Sequence, residues 1–280
     1  NANGFKIISE NKAGIKGGLR LSYATLGAFT KYPRKSILDK KSGHIKDKKY
    51  GFFHSQNTFF DEVANELGMV DSNGEYMRHP LAYLVEAADD ICYTLIDFED
   101  GINLGWISEE YALEFLIRLV KDSIDTKKYN SLKHKTDRVA YLRALSVNTL
   151  INDTVKIFLA NEEKILNGQF TKTLLSESVF KAQMKDIIDI SVRKVYNSKE
   201  VIEKELKGYQ VIHKLLSVFI KASVNNQSDN TTALDDLVLS SLPQAYIHKD
   251  GNLYDQLLDI SCFVASLTDG NALEWYNKIS

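Results

Sequence analysis

The chain has 280 residues, 44% hydrophobic and 26% charged, with a formal net charge of −2. That size and apolar content give a globular chain with a sizeable core, and the near-neutral balance argues against gross electrostatic capture by nucleic acid or an anionic membrane. No apolar run approaches the roughly 18 residues of a spanning helix, so no membrane partner is expected, and three prolines in a Leu-, Lys- and Glu-rich background give an all-α fold class.

In chain order, residues 2–10 and 19–30 read as helices broken by Gly14, Gly17 and Gly18. A basic stretch follows: Lys31, Arg34, Lys35, Lys40, Lys41, Lys46, Lys48 and Lys49 stand against only Asp39 and Asp47. Such a run is either a solvated loop or a surface for anions. Residues 57–67 form a short amphipathic helix, with Asn57 as its cap, Phe59, Phe60, Val63 and Leu67 inward, and Gly68 as its stop. Asp71-Ser72-Asn73-Gly74 is a turn by composition.

The next helix starts at Pro80 and is expected to stop at Gly101. Leu81, Leu84, Val85, Ala88, Ile91, Cys92 and Leu95 give it an apolar stripe. From His79 to Leu104 there are six carboxylates (Glu86, Asp89, Asp90, Asp97, Glu99, Asp100) and no Lys or Arg. Asp89 borders the stripe, and Tyr93 and Asp97 follow it at four-residue steps on one slowly turning face. A carboxylate entering a core needs a counter-charge, hydrogen bonds or a metal. An acid, an aromatic and a second acid on one face could hold a cation, a ring and a hydroxyl. The competing expectation is an ordinary solvated acidic face.

Residues 108–121 read as a packing helix, and a long helix runs from Thr136 to about Leu166, stopped by Asn167-Gly168. It carries Arg138 and Arg143, and the plain expectation for Arg143 is a salt bridge to the acidic helix. Helices follow at 172–196 and at 199–224, the second built on Val201, Leu206, Val211, Leu215, Phe219 and Ile220. The polar run 225–232 is a loop, and helices resume near 233–242, 254–266 and 269–278. Cys92 and Cys262 lie in apolar helical patterns and are expected to be buried free thiols, which fits a reducing cytoplasm. There is no repeat, glycine-rich phosphate loop, Ser/His/Asp arrangement or paired-cysteine metal site.

The run from Pro80 to Tyr93, which contains Glu86-Ala87-Ala88-Asp89-Asp90, continues as Asp97-Phe98-Glu99-Asp100. It resembles a helix of the deoxyguanosine triphosphate triphosphohydrolases, the HD-domain dNTP hydrolases. Asn1-Ala2-Asn3-Gly4-Phe5-Lys6-Ile7, the block from Leu21 to Pro33, Lys49-Tyr50-Gly51-Phe52-Phe53 and the block from Phe263 to Asp269 are similar to further family blocks, in the family's order. The resemblance implies hydrolysis of a dNTP, dGTP first, to deoxynucleoside and inorganic triphosphate by a metal-activated water. It implies Asp89 as a ligand to a divalent metal, Mg or Mn. Tyr93 would lie against the deoxyribose, leaving no room for a 2′-hydroxyl, and Asp97 would accept from the 3′-hydroxyl. Lys31, Tyr32 and Lys49 would meet the triphosphate, and Arg143 sits in a Tyr-Leu-Arg-Ala block comparable to one that carries a family arginine.

The family's metal is also held by a His and an adjacent His-Asp pair, whereas none of the six histidines here is followed by Asp. The chain is therefore expected to be the C-terminal part of such an enzyme, a single helical unit over 1–280 in which 1–121 is the remainder of the HD-type core and 122–280 a C-terminal helical region. Alone it is expected to be inactive and to bind metal weakly, since one carboxylate is not a site. Two alternatives stand beside this: a non-catalytic helical interaction module, and a regulatory module binding single-stranded nucleic acid through the basic stretch. A homo-oligomer is expected from the resemblance alone.

Overall fold

The computed structural model describes residues 1–10, 18–37, 49–243, 246 and 252–279, and among them the chain is all-α, with isolated bridges at Lys35–Phe52 and Val70–Tyr76. Its helices are α1 (Ala2–Ser9), α2 (Tyr23–Phe29), α3 (Asn57–Glu66), α4 (Pro80–Asn103), α5 (Glu109–Val120), α6 (Thr126–Ser131), α7 (Lys135–Ala160), α8 (Glu162–Leu166), α9 (Lys181–Ser191), α10 (Lys199–Gln227), α11 (Ala233–Ser240), α12 (Leu253–Ser266) and α13 (Asp269–Lys278). None of the described helices is long and apolar enough to cross a membrane. Internal contacts divide the chain into two compact units, one comprising Asn1–Phe5 and Leu21–Val201, the other Lys6–Arg20 and Ile202–Ser280.

In the first unit α4 packs on α7 and α9, α5 on α7 and α9, and α2 on α3 and α4. The core interleaves Ile91, Leu95, Phe98 and Ile102 of α4 with Leu116 and Val120 of α5, Val139 and Leu142 of α7, and Ile187 and Ile190 of α9. A second cluster gathers Phe5, Phe52 and Phe60, the last two stacked at 4.1 Å between centroids. In the second unit Val211, Leu215 and Phe219 of α10 pack with Val238, Ile260 and Phe263, and Trp275 meets Phe219 and Phe263 edge-on.

The local signals mostly act as expected. Pro80 opens α4 at its first turn, and His79 caps it, Nδ1 accepting from the Leu81 N–H at 3.2 Å; burial holds that imidazole below its usual pKa, in keeping with a neutral acceptor. Asp71 closes its turn by accepting from the N–H groups of Asn73 and Glu75. Other expectations are corrected. Gln56, not Asn57, occupies the cap of α3. The helix from Thr136 breaks at Asn161 into α7 and α8, where the Asn161 side chain donates to the Ile157 carbonyl and competes with the helical ladder. The segment 172–196 divides into a short 3₁₀ turn at Leu174–Glu177, α9, and a π-helix at Val192–Tyr196. Leu206 is exposed rather than inward.

The α4 stripe is rotated from its expected face. Ile91 and Leu95 are buried, but Leu81, Val85, Ala88 and Cys92 are exposed, and the buried positions include Ala82, Tyr83, Glu86, Thr94, Phe98 and Ile102. Counting apolar residues misses this face because two of its members are polar groups with partners: Tyr83 donates to the Phe170 carbonyl at 2.5 Å, and Glu86 is ion-paired. So Cys262 is a buried thiol, pushed up to about 11 by burial, whereas Cys92 is exposed.

Gly101 does not end α4. The helix continues to Asn103, and Gly105, at φ +78°, takes the left-handed position past the end. Gly101 is instead buried at a close approach: a Cβ there would lie 2.6 Å from Val195 Cγ2 and 2.8 Å from Ile107 Cδ1. On helix propensity alone Gly101→Ala would stabilise by about 0.5–1 kcal/mol, while overpacking costs about 1–3 kcal/mol. The substitution is therefore expected to lower the thermal unfolding midpoint, and a raised midpoint would contradict the packing.

Candidate functional site

The site is organised along α4 and starts from a buried charge. Glu86 is 5% exposed, and a carboxylate there must find cations. Arg78, just ahead of the His79-Pro80 start, supplies one: its Nη2 lies 2.8 Å from Glu86 Oε2, and its guanidinium stacks 4.2 Å from the centroid of Tyr83. Lys31, two residues beyond α2, supplies the other. Its Nζ stands 3.6 Å from Glu86 Oε1, 3.8 Å from Asp89 Oδ2 and 3.8 Å from Asp90 Oδ1. Positions 86, 89 and 90 are i, i+3 and i+4 on one helix face, which is why one ammonium reaches all three. Burial pushes the Asp90 carboxyl above its usual pKa, with Lys31 opposing and Glu86 and Asp89 reinforcing.

The segment carrying Tyr32 and that carrying Lys49 are drawn together by Gly51. A Cβ at Gly51 would sit 2.2 Å from the Tyr32 carbonyl oxygen, and the Gly51 N–H donates to the Arg34 carbonyl at 2.9 Å. Lys49 Nζ thereby donates to Tyr32 Oη at 3.0 Å and lies 5.0 Å from its ring centroid, with Lys31 Nζ 5.9 Å from the same ring. That hydrogen bond is the main cause of a raised Lys49 pKa. Lys31, Tyr32, Lys49 and Asp89 thus form one group. Lys40, Lys41, Lys46 and Lys48 lie outside the described residues.

One and two helical turns further along α4, at about 6 Å per four residues, come Tyr93 and Asp97. Tyr93 is 60% exposed, a large ring left at the surface. Asp97 Oδ2 accepts from Tyr196 Oη at 2.5 Å, and the rings of Tyr93 and Tyr196 are 6.1 Å apart and inclined at 37°. Burial and the bond to Asp97 raise the Tyr196 pKa. Arg143 reaches Glu99 on the acidic helix, Nε to Oε2 at 2.6 Å, although its N–H is not aligned as a hydrogen-bond donor. Arg138 pairs with Glu109 at 2.7 Å. Among the described residues no three His, Cys, Asp or Glu side chains are grouped to hold a metal ion.

Sequence reasoning missed Arg78 and Tyr196. Arg78 carries a weak signal, a lone cation just before a cation-free acidic helix; Tyr196, about a hundred positions from Asp97, carries none. Because Glu86 is buried, removing Arg78 leaves it, among the described residues, with Lys31 alone, at 3.6 Å, and breaking a buried pair costs about 3–5 kcal/mol. Arg78→Ala is expected to destabilise the chain by about 3 kcal/mol in urea unfolding, and Glu86→Gln by less, since an amide needs no counter-charge. Equal effects would contradict this account of the pair.

No family model matches the chain. It is 32% identical to the deoxyguanosinetriphosphate triphosphohydrolase-like protein of Synechocystis sp. over 289 aligned positions, covering 100% of this chain and 64% of that protein. It is 31% identical to the protein of the same description from Pseudomonas aeruginosa, covering 100% of this chain and 65% of that protein. It is 30% identical to the deoxyguanosinetriphosphate triphosphohydrolase of Serratia proteamaculans over 220 positions, 72% of this chain and 43% of that protein. The chain spans less than two thirds of the length of each of these relatives. Over the stretch that it spans, the chain is similar to proteins of the deoxyguanosinetriphosphate triphosphohydrolase family.

Proposed function

We propose that this chain forms part of a metal-dependent dNTP triphosphohydrolase that takes dGTP first and gives deoxyguanosine and inorganic triphosphate. What supports this most is the order of groups along α4: a cation-flanked carboxylate at Asp89, an exposed ring at Tyr93 and a held carboxylate at Asp97, with Lys31, Tyr32 and Lys49 gathered beside the first. That order follows the parts of a nucleotide, from phosphates to sugar.

Lys31 and Lys49 bind phosphate oxygens as compact charges, and Tyr32 keeps the two ammonium groups near one ring. Lys31 lies beyond ordinary hydrogen-bond length from its three carboxylates, so its N–H donors remain open to a phosphate. Asp89 is the carboxylate suited to a divalent metal: its side chain is 74% exposed and offers hard oxygen donors. Mg or Mn bound there would polarise a phosphate and lower the pKa of a water. Tyr93 covers the deoxyribose face and Asp97 accepts from the 3′-hydroxyl. Arg143 contributes through Glu99 and the α4–α7 packing. Single-stranded nucleic acid on the basic run, or a second copy of the chain, would be further partners; the gathered lysines and the exposed ring favour a nucleotide.

Titration of the chain with dGTP and with GTP in the presence of Mn tests this. The expected result is tighter binding of dGTP, a gap narrowed by Tyr93→Ala, and at least roughly tenfold weaker dGTP binding in the Lys31→Ala/Lys49→Ala double variant, the scale of one lost charge-assisted bond. No release of triphosphate is expected from the chain alone, because one carboxylate does not hold a catalytic metal. Equal binding of the two nucleotides would overturn the deoxysugar assignment, and robust turnover would overturn the incomplete metal site.

A further inference from the structure

The Tyr93–Asp97 pair is completed by a residue from another helix. Asp97 is half-buried, and among the described residues it has no Lys or Arg partner; its Oδ2 is satisfied by the Tyr196 hydroxyl. A phenol donating to a carboxylate at 2.5 Å is a charge-assisted bond, roughly twice as strong as a neutral one. It engages one carboxylate oxygen and leaves the other for a different donor.

The backbone that presents Tyr196 is unusual. It is the last residue of the π-helix Val192–Tyr196, which follows α9 directly. Such wide turns are rare and recur where a side chain must be aimed at a site. This one is anchored: Val195 is buried, and it rests on Gly101 of α4 so closely that no Cβ would fit between them. The contact fixes the end of the π-helix against the turn of α4 that follows Asp97. The Tyr196 ring then stands beside the exposed ring of Tyr93, so the two rings and one carboxylate border the same stretch of surface.

We propose that Tyr196 is the positioning residue of this site, holding Asp97 Oδ2 so that Oδ1 faces a ligand hydroxyl, with Tyr93 and Tyr196 flanking the ring that bears it. The inference rests on the deoxysugar assignment above and assigns to Tyr196 the preference for a 3′-hydroxyl. Tyr196 acts through Asp97 and takes no part in bond breaking.

Deoxyguanosine and 2′,3′-dideoxyguanosine, which carry no phosphate and call on no metal, are the probes. Calorimetric titration of the wild-type chain is expected to favour deoxyguanosine by roughly tenfold, the size of one hydrogen bond to a charged group. In Tyr196→Phe the two ligands are expected to bind within about twofold of each other, with dideoxyguanosine affinity unchanged, since the ring stays and only the hydroxyl is lost. A variant that keeps the tenfold preference makes Tyr196 a packing residue and overturns the inference, leaving the sugar assignment intact. A wild type without preference overturns the sugar assignment and the inference with it. A measurement on the wild type alone adds an arm that does not depend on the variant folding: the Tyr196 hydroxyl proton resonance should shift with deoxyguanosine and not with dideoxyguanosine, and equal shifts would contradict the role.

Discussion

The carboxylate of Glu86 is the constraint from which the arrangement of the first unit follows. It is buried on a helix that carries no cation of its own between His79 and Leu104, so its counter-charges have to come from other segments. Arg78 arrives from the turn before α4, and Lys31 from the segment after α2. One demand thus ties two stretches of chain to one helix face, and it delivers an ammonium to the exposed Asp89 nearby.

Magnitudes decide which of the three carboxylates holds Lys31. Opposite charges near 4 Å attract by about 1 kcal/mol in water and by about 4 kcal/mol where solvent is largely displaced. Glu86 lies toward the second limit and the well-exposed Asp89 toward the first, so Glu86 fixes the lysine while Asp89 is only lightly engaged. A light engagement is what a ligand-binding carboxylate needs. It holds Asp89 in place without using up its oxygens. Tyr93 and Asp97 follow the same division of labour, one ring exposed and one carboxylate held by a neighbour.

Local chemistry was readable wherever it is local. Proline at the start of α4 and the Asp71 turn depend on residues within a turn of one another, and they stand where spacing puts them. The face that α4 buries was not readable, because Tyr83 and Glu86 enter the core on the strength of Phe170 and Arg78, partners that hydrophobic periodicity does not weigh. Gly101 escapes sequence patterning for a similar reason: glycine at a helix end and glycine at a helix–helix approach are alike in sequence, and only Val195 opposite distinguishes them. The gathering of Lys31, Tyr32 and Lys49 could be expected only through family resemblance. The pairing of Asp97 with Tyr196 crosses ninety-nine positions of sequence and left no trace in it.

The central claim is that Asp89 faces a cation while Glu86 keeps the neighbouring lysine. Paramagnetic broadening of backbone amide resonances on addition of Mn²⁺ to the chain tests it most directly. The account predicts weak binding with broadening centred on residues 86–93, lost in Asp89→Ala and retained in Asp100→Ala. Broadening that survives Asp89→Ala unchanged, or that centres elsewhere on the chain, would contradict it.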